Sequence, residues 1–565
     1  QPQMALRLLT SSICGALDYH ARVIDPAAFL ETARGLDKLV ETTLLTILTP
    51  VDGTYPAPLP EQRDLALRIA RLPRNAGGLQ LSSLVTKSPA AFLAGAVAVG
   101  ADKRAHALHA HTAHHTVDAF DRLMRLLPEQ ATAPGGHLAA HLPSSRDALT
   151  DGSFIELFNQ NHPKSKLQRL FMSAILDGER MELRHHAAHN LPSPSTALHL
   201  LELTGHSQAS RVFDADLANK ATRIDDRAFR AWLRRFLTLP QATTGGPTSR
   251  RLHPEDGAVT EVCSVAHRSD GEGGGEHLQD RHGNHAAACV AASSSRQRLH
   301  GAMTNFLVDS ARAAGMEARR EPPTGELLLG RVPQAELDKR FPERQTAQTK
   351  LHAAQVLGHL QAAASGPRTE RAMERTRAEE LMKAASDGGH ALRIDASFTT
   401  GAGAEAWVDN TMFHNTAAGR RVRGLNWHQQ QEAAEWAAWT GGLGVPPNVH
   451  QSPAMLRAVS DKHEKYAPLL NIARLQHLRK ERRSTPRFFA AATSHSGEMA
   501  GDFFDLVEWM TGQYRHAARK GGQAYCGRKP SVMAAEFRRR LKDGIQAITA
   551  RAIGSIMVSA GYYSK

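Results

Sequence analysis

The sequence is poor in cysteine and lacks long apolar runs. Four cysteines, Cys14, Cys263, Cys289 and Cys526, are scattered over 565 residues. This usage is typical of a reducing compartment and argues against structural disulfides. No apolar run approaches the roughly 18–20 residues needed to cross a bilayer, and residues 1–9 lack a secretory pattern. We therefore expect an intracellular protein without a membrane partner.

Basic residues outnumber acidic residues in the sequence. The chain carries 69 Lys and Arg against 56 Asp and Glu, a formal net charge of +13. Hydrophobic residues make up 41% of the sequence, so most of it should fold rather than form a disordered tail. The length predicts about two to four domains. A basic globular protein of this kind favours nucleic acid, DNA or RNA, as its partner.

The first half of the sequence predicts helices. Apolar residues recur at helical spacing, as in Phe229, Trp232 and Phe236. Proline and paired glycines predict a turn at Leu72–Leu81, and the next helix is expected to begin after Ser88-Pro89. The stretch 241–275 is rich in Gly, Thr, Pro and charge, which indicates a linker between domains.

The second half changes character. A helix is expected over Ser293–Ala314, and a charged, arginine-rich helical insertion near 342–385. Residues 391–398 and 405–413 alternate around a glycine turn, which predicts a β-hairpin. A further strand is expected at Phe488–Ala492, and a basic amphipathic helix over Ser531–Met557. The expected architecture is an α-helical half followed by an α/β domain with a small mixed sheet.

The predicted hairpin places two aspartates together. Asp395 and Asp409 share a midpoint at Ala402, the apex of the turn. In a symmetric hairpin they face each other, with Cβ atoms about 4.5–5.5 Å apart. Two facing carboxylates repel, so they need a shared proton or a bridging hard cation, and Mg²⁺ is the expected one. The alternative is that both are ordinary exposed strand residues.

Strand alternation assigns the neighbours of these aspartates to two faces. Asp395 should share a face with its i±2 neighbours, whereas Ile394, Ala396 and Phe398 should point to the opposite face. A lysine near the carboxylates would complete a phosphodiester-cleaving site. The predicted helix around Lys462 and Lys465 offers two, three residues apart, and the alternative is that they form a solvated helix face.

Several separated segments agree in order with one protein family. The sequence Asp395, Asp409, then Lys462, Lys465 and Tyr466 resembles the catalytic signature of restriction-endonuclease-like domains in non-long-terminal-repeat retrotransposons. Three upstream segments resemble the region between the polymerase thumb and that nuclease: Leu72–Leu84, Ser210–Pro240, and the Gly-x-His-x-x-x-Cys knuckle half within Asp280–Cys289.

Three features depart from the family pattern. The residues after Asp409 are Asn410-Thr411-Met412 rather than a plain β-branched run. Ile394 stands where the family has a proline before the first aspartate. The chain also lacks a Tyr/Phe-x-Asp-Asp polymerase box, because Asp225-Asp226 follows Ile224 in a helical context. Reverse transcriptase activity is therefore not expected in this sequence, and an upstream or separate polymerase would have to supply it.

The resemblance implies a domain order and an activity. Residues 1–245 would be a helical thumb and linker-like region, 246–295 a Cys/His knuckle-like region, and 296–565 a restriction-endonuclease-like domain of the PD-(D/E)XK class. The implied function is Mg²⁺-dependent nicking of DNA in the nucleus, so that the exposed 3′ end primes reverse transcription. Glu321 is a further candidate acidic ligand. The alternative is a domesticated, catalytically inactive nucleic-acid-binding scaffold or ribonucleoprotein subunit.

The knuckle-like region predicts a zinc site. His285 and Cys289 form a one-turn helical pair, and Cys263 with His267 could supply the other two of the four ligands that Zn²⁺ requires. The alternative is a buried Cys289 beside solvated histidines.

Two basic runs are candidates for contacts with phosphates. A positive run beside an apolar helical face can project its charges towards a polyanion, although a solvated surface is the alternative. The candidate residues are Arg474, Arg479, Lys480, Arg482 and Arg483 in the first run, and Arg538, Arg539, Arg540 and Lys542 in the second.

Overall fold

The computed structural model describes residues 1–49, 57–100, 106–133, 138, 142, 167–191, 194–206, 209–215, 222–241, 250–252, 259–261, 293–322, 394–413, 453–478, 484–520 and 528–558. The predicted insertion at 342–385 and most of the knuckle-like region 246–295 lie outside these residues. Both therefore stay predictions, as do the domain boundaries that depend on them.

The described part of residues 1–241 is helical, as predicted. Short helical turns at Leu9–Ile13, Arg74–Ala76 and Ala209–Phe213 connect longer helices. The helices are α1 (Pro2–Leu8), α2 (His20–Val23), α3 (Pro26–Leu48), α4 (Pro60–Arg71), α5 (Leu84–Gly100), α6 (His106–Leu126), α7 (Glu129–Thr132), α8 (Leu167–His189), α9 (Pro194–His206) and α10 (Asp226–Phe236).

The helix α10 shows why the aspartate pair at its start is structural. The Asp225 side chain accepts a hydrogen bond from Ala228 N at 2.9 Å, which is the usual role of an aspartate at a helix N-cap. The helix then buries Phe229, Trp232 and Phe236 in the largest hydrophobic cluster of the described residues. The predicted helical spacing of these three aromatic residues is confirmed.

The turn predicted at Leu72–Leu81 is confirmed, and its paired glycines are required by close packing. Gly77 has a φ of +81°, and a Cβ at this position would lie 1.9 Å from Leu203 O. A Cβ on Gly78 would lie 2.0 Å from Leu72 O. Only glycine fits such close approaches of backbone to backbone.

The prediction that a helix begins after Ser88-Pro89 is wrong, because α5 begins at Leu84. Its start is capped from another helix: the Asp37 carboxylate on α3 accepts hydrogen bonds from Leu84 N at 2.7 Å and Val85 N at 3.3 Å. Ser83 Oγ accepts a third from Thr86 N at 3.2 Å. These contacts, two tertiary and one local, satisfy free N–H groups of the first turn, and Pro89 lies inside the helix.

The second half contains a four-stranded mixed sheet, as predicted. Its strands follow the order β3 (Glu317–Arg320), β4 (Ala396–Thr399), β5 (Glu405–Phe413) and β6 (Arg487–Ser494), and a separate short pair joins β1 (Arg250–Leu252) to β2 (Val259–Glu261). Neighbouring strands are antiparallel from β3 to β5, and β6 runs parallel to β5. The hairpin and the strand near Phe488 are both confirmed.

Within the described part of the second half, four helices accompany the sheet: α11 (Ser293–Ala313), α12 (Pro453–Leu478), α13 (Gly501–Lys520) and α14 (Pro530–Met557). One sheet face packs Ala396, Phe398 and Val408 against apolar residues of α11, α13 and α14. The helix α14 continues into the helical half, where Ile553 and Met557 join the largest cluster.

The predicted alternation fails at Ile394. This residue is fully buried, but it packs with Trp407, Tyr466 and Ala473 rather than with Ala396 and Phe398. The reason is that the chain bends at Asp395, one residue before β4 begins, so the two-residue period of the strand does not extend to Ile394.

Candidate active site

Two buried aspartates meet where β4 begins. The hairpin pairs Ala396 with Val408, and extending that register by one residue sets Asp395 against Asp409. Asp395 N donates to Val408 O at 3.0 Å, and Asn410 N donates to the Asp395 carboxylate at 2.5 Å. Asp395 is 9% exposed and Asp409 3%. The alternative of two ordinary exposed strand residues is therefore excluded.

The carboxyl group of Asp395 resists ionisation. Its burial, and then the charge of Asp409, raise its pKa to about 7, against the opposing effects of the Asn410 N–H and the Lys462 ammonium. A group poised near neutral pH inside a polar cluster is typical of functional sites, although structural networks also produce it.

Lys462 and Tyr466 reach the site from α12. Lys462 Nζ lies 2.8 Å from Asp409 Oδ1. Tyr466, one helical turn later and fully buried, hydrogen bonds to the side chain of Asp409, and burial together with that carboxylate raises the pKa of its hydroxyl. Lys465 points elsewhere: it is exposed, and its Nζ lies 4.9 Å from the centroid of the Tyr466 ring. The structure thus brings Lys462, and not Lys465, to the carboxylates.

Glu321 stands beside Asp395 in a strained backbone conformation. It follows β3 with a φ of +43°, which is uncommon for a residue other than glycine, and its N–H donates to Asp395 O at 2.7 Å. Its carboxylate pairs with Arg320 at 3.0 Å and contributes to the raised pKa of Asp395. Glu321 therefore belongs to the same acidic cluster.

Two residues that the sequence did not indicate, His300 and Thr304, also belong to the site. His300 on α11 approaches Asp395 Oδ1 with Nε2 at 3.0 Å. Burial is the main reason that the pKa of His300 is lowered. Thr304, one turn later, accepts a hydrogen bond from Asn410 Nδ2 at 2.5 Å. In a chain with 30 histidines, one more histidine on a helix carries no signal.

A histidine–aspartate pair lies next to this cluster on α12. His463, adjacent to Lys462, approaches Asp502 Oδ2 with Nε2 at 2.5 Å, and Ala490 N donates to the same oxygen at 3.1 Å. The imidazole meets the ring of Phe488 edge to face, and Phe488 packs in turn against Tyr466. The pair therefore fixes α12 against β6 and the start of α13.

The donor set of the cluster suits a hard cation only in part. Among the residues that the structure describes, no group of three His, Cys, Asp or Glu side chains is arranged to hold a metal ion. Asp395 and Asp409 offer two carboxylates, and Mg²⁺ is commonly held by one or two carboxylates together with water and substrate phosphates. The two aspartates therefore fit Mg²⁺ if water and substrate phosphates supply its remaining ligands.

The remaining predicted site residues are placed unevenly. Arg474 is exposed near the end of α12, and Arg539 is exposed on α14. Arg538 pairs with Glu508 at 2.9 Å and Arg540 with Glu536 at 2.7 Å. The other predicted ligands and cations fall outside the described residues and stay predictions: Cys263, His267, His285, Cys289, Arg479, Lys480, Arg482 and Arg483.

Lys542 differs from the other cations of its run. It is buried, and its Nζ lies 3.7 Å from Glu508 and 4.8 Å from the centroid of the Phe504 ring. Its position suits packing between α13 and α14 more than direct contact with a phosphate.

Within the described ranges, no helix is both long and apolar enough to cross a membrane. A scan against protein-family models matched none of them, and a search of curated proteins found no significant match.

Proposed function

We propose that the chain is the DNA-nicking region of a non-long-terminal-repeat retroelement protein, acting on nuclear DNA with Mg²⁺. The observation that carries the proposal is the convergence of Asp395, Asp409 and Lys462 from two strands and a separate helix. The order of these residues in the sequence points to the same set. A buried cluster of titratable side chains with a perturbed pKa is the kind of site at which catalytic groups are found, which supports the proposal.

The order of elements around the site also supports a restriction-endonuclease-like fold of the PD-(D/E)XK class. A helix, α11, precedes three antiparallel strands, and α12 then leads to a fourth strand parallel to the third. The resemblance implies a small mixed sheet covered by helices, and these elements are compatible with it. Asp395 lies one residue before the second strand of the sheet and Asp409 lies within the third. Fold alone does not define an activity, so the proposal depends on the side chains.

The side chains of the chain have distinct roles in the proposed reaction. Tyr466 and Asn410 fix the two carboxylates through their hydrogen bonds to Asp409 and Asp395. The Lys462 ammonium, held by Asp409, is placed to orient a water molecule or to stabilise charge on a phosphate oxygen. Glu321 adds a third carboxylate at the rim of the cluster.

Asp395 and Asp409 would hold Mg²⁺ in this proposal. When bound, the ion polarises the phosphodiester and lowers the pKa of a bound water. Burial, and then the charge of Asp409, disfavour the ionised form of Asp395, and a cation bound between the two carboxylates would offset both effects. The nick exposes a 3′ end, which a polymerase region elsewhere would extend.

A nicking assay on supercoiled DNA with Mg²⁺ tests the proposal. We expect wild type to nick, and Asp395→Asn and Asp409→Asn to lose at least about 100-fold in rate, as when one electrostatic stabiliser is removed from an active site. Asp309→Asn is the matched control, because Asp309 is an exposed aspartate on α11 with a 74% exposed side chain. Equal rates in wild type and Asp395→Asn would remove this site from the reaction.

One observation favours the alternative of a catalytically inactive nucleic-acid-binding scaffold. Lys462 already neutralises Asp409, because its Nζ lies 2.8 Å from Asp409 Oδ1. A scaffold would bind DNA or RNA and nick nothing in the same assay. Both functions predict binding of nucleic acid in EDTA, where no cleavage occurs. Binding alone therefore does not distinguish them, and the nicking assay does.

A further inference from the structure

The helix α14 joins the two halves of the molecule at a basic surface. Its second half packs on α10, where a Cβ on Gly554 would lie 2.0 Å from Ala228 O. Ahead of this contact, Arg211 from the helical half reaches Asp543 on α14 at 3.2 Å, across 332 positions of sequence. Arg211 and Arg538 both act electrostatically on Lys542. Arg211 and Arg539 both act on Asp543. We call these three arginines, together with the exposed Arg540 of α14, the junction patch.

The junction patch has more cations than nearby carboxylates can neutralise. Glu508, Glu536 and Asp543 supply the acidic partners. Two further cations, Arg528 and Lys542, share Glu536 and Glu508 with the patch arginines. Each of these two glutamates thus faces two cations, so the surface keeps a local positive excess.

The crowding is visible in the buried lysine beneath the patch. Burial is the main cause of the lowered pKa of Lys542, and the charges of Arg538 and Arg211 lower it further. Cations that repel one another in this way are stabilised by an added anion, because like charges within a few ångströms cost free energy.

The chemistry of the exposed groups suits phosphate. Arg538 uses Nε for Glu508, and Arg540 uses one terminal nitrogen for Glu536. A guanidinium carries five N–H donors, so one such ion pair holds the side chain in place and leaves donors for a second anion. Planar, pre-positioned arginines are the usual ligands of phosphate groups.

The position of α14 favours a nucleic acid over an anionic membrane. Ala534, Leu541, Ile545 and Ile548 are buried, and the arginines 538–540 are exposed. In the described part of α14, the exposed large apolar side chain is Val532, at the start of the helix. Membrane-surface helices instead present a broad apolar face to the lipid.

We propose that the junction patch binds the phosphate backbone of a nucleic acid at a surface separate from the candidate active site. None of its four residues belongs to β3, β4, β5, α11 or α12, which build that site. Because Arg211 and the α14 arginines come from different halves, a bound strand would bridge the two halves. The proposal does not depend on whether the candidate active site cleaves DNA.

The test measures binding of the full chain to a single-stranded RNA and to a duplex DNA of unrelated sequence. Fluorescence anisotropy is recorded in EDTA, so that metal-dependent cleavage plays no part, at salt concentrations from about 50 to 200 mM. For Arg539→Ala/Arg540→Ala we expect weaker binding to both. The slope of log affinity against log salt should fall by about 0.7–0.9 for each phosphate that the variant no longer neutralises.

The matched control removes the same charge elsewhere. Arg34→Ala/Lys38→Ala on α3 deletes two exposed cations whose side chains are 60% and 64% exposed, and should leave the slope unchanged. Arg539→Lys/Arg540→Lys keeps the charge and should keep most of the slope. Thermal unfolding of each variant checks that folding is intact.

Three results would overturn the proposal. The first is an unchanged slope in the double alanine variant. The second is an equal fall in the α3 control, which would show that net charge alone matters. The third is binding to vesicles rich in anionic lipid without binding to either nucleic acid, which would assign the patch to a membrane. Arg211→Gln, if folded, should weaken binding as well, because the patch crosses the junction.

Discussion

In the helical half the guanidinium of Arg234 is fully buried, whereas at the central strands β4 and β5 of the sheet two carboxylates are buried beside each other. Arg234 donates to Pro240 O from Nε at 2.9 Å and from a terminal nitrogen at 2.5 Å, and to Leu48 O at 3.3 Å. Asp395 instead faces the like charge of Asp409. Burial of a charged group therefore does not indicate a functional site by itself. The groups around the buried charge distinguish the two cases.

The two regions also differ in what their buried charges do for stability. Arg234 joins the end of α3 to the turn after α10 by satisfying carbonyl groups that would otherwise lack donors. Asp395 opposes folding at neutral pH, because its carboxylate loses hydration and faces the charge of Asp409. Such a cost is tolerated where an interaction with a ligand offsets it, which supports the proposed site.

The largest expected effect is on Arg234. Arg234→Met should lower the free energy of unfolding by about 3 kcal/mol or more, because Pro240 O and Leu48 O are left buried without their donors. Chemical denaturation measures this. Arg34→Met on the exposed face of α3 is the control and should change stability by less than about 0.5 kcal/mol. A loss below about 1 kcal/mol in Arg234→Met would contradict the structural role.

The next effect has the opposite sign. Asp395→Asn should stabilise the protein at pH 8 in EDTA. The carboxyl group has a pKa of about 7 when folded and 3.8 as its ordinary value, so between these pH values the folded state binds more protons than the unfolded state. Wild-type stability therefore falls as pH rises through this window, and the variant escapes that loss.

The gain in Asp395→Asn should be on the order of 1–3 kcal/mol at pH 8 and should shrink towards pH 4. Thermal unfolding across this pH range measures it. Asp309→Asn, which removes an exposed carboxylate, should show no comparable trend. A variant less stable than wild type at pH 8 would show that repulsion between the two carboxylates does not destabilise the folded protein.

A smaller effect comes from adding metal. If Asp395 and Asp409 hold Mg²⁺, the ion should stabilise wild type by about 1.4 kcal/mol when its concentration is ten times the dissociation constant. The melting temperature in Mg²⁺ and in EDTA gives this difference without any cleavage assay. Asp395→Asn should lose the Mg²⁺ response. An equal response in both proteins would place the metal elsewhere.

The smallest expected effect on stability is at Lys465, and it distinguishes the two lysines of α12. Lys465→Ala should change stability by less than about 0.5 kcal/mol and leave nicking intact, because Lys465 is exposed and does not bond to Asp409. Lys462→Ala should abolish most nicking, because its ammonium is bonded to Asp409. Equal losses in the two variants would show that the motif spacing, and not the observed contact, identifies the functional lysine.

Local features of the site were predictable from the sequence. The glycine turn fixes the register of β4 and β5, and register in turn sets Asp395 opposite Asp409, because a short hairpin leaves few alternatives. Helical spacing likewise predicted the burial of Phe229, Trp232 and Phe236. In each case the relevant partners are close in sequence.

Non-local features were not predictable in this way. The start of α5 is capped by Asp37 on another helix in addition to the local Ser83, whereas the preference of Ser88-Pro89 puts it too late in the chain. Ile394 left the predicted face because the chain bends at Asp395. His300 and Thr304 joined the site through the packing of α11, and no periodicity or motif marks that contact.

The sequence by itself determined the hairpin, the facing aspartates, the helical first half and the positive charge of the chain. Each depends on turn chemistry, residue period or composition, which act within a few residues or over the whole chain. Only the tertiary structure decided that Lys462 rather than Lys465 reaches Asp409, that Lys542 is buried, and that Arg211 joins the arginines of α14. These outcomes depend on the rotation of each helix about its axis and on contacts between segments that are distant in sequence. Both are determined by the free energy of the whole fold and not by any local segment.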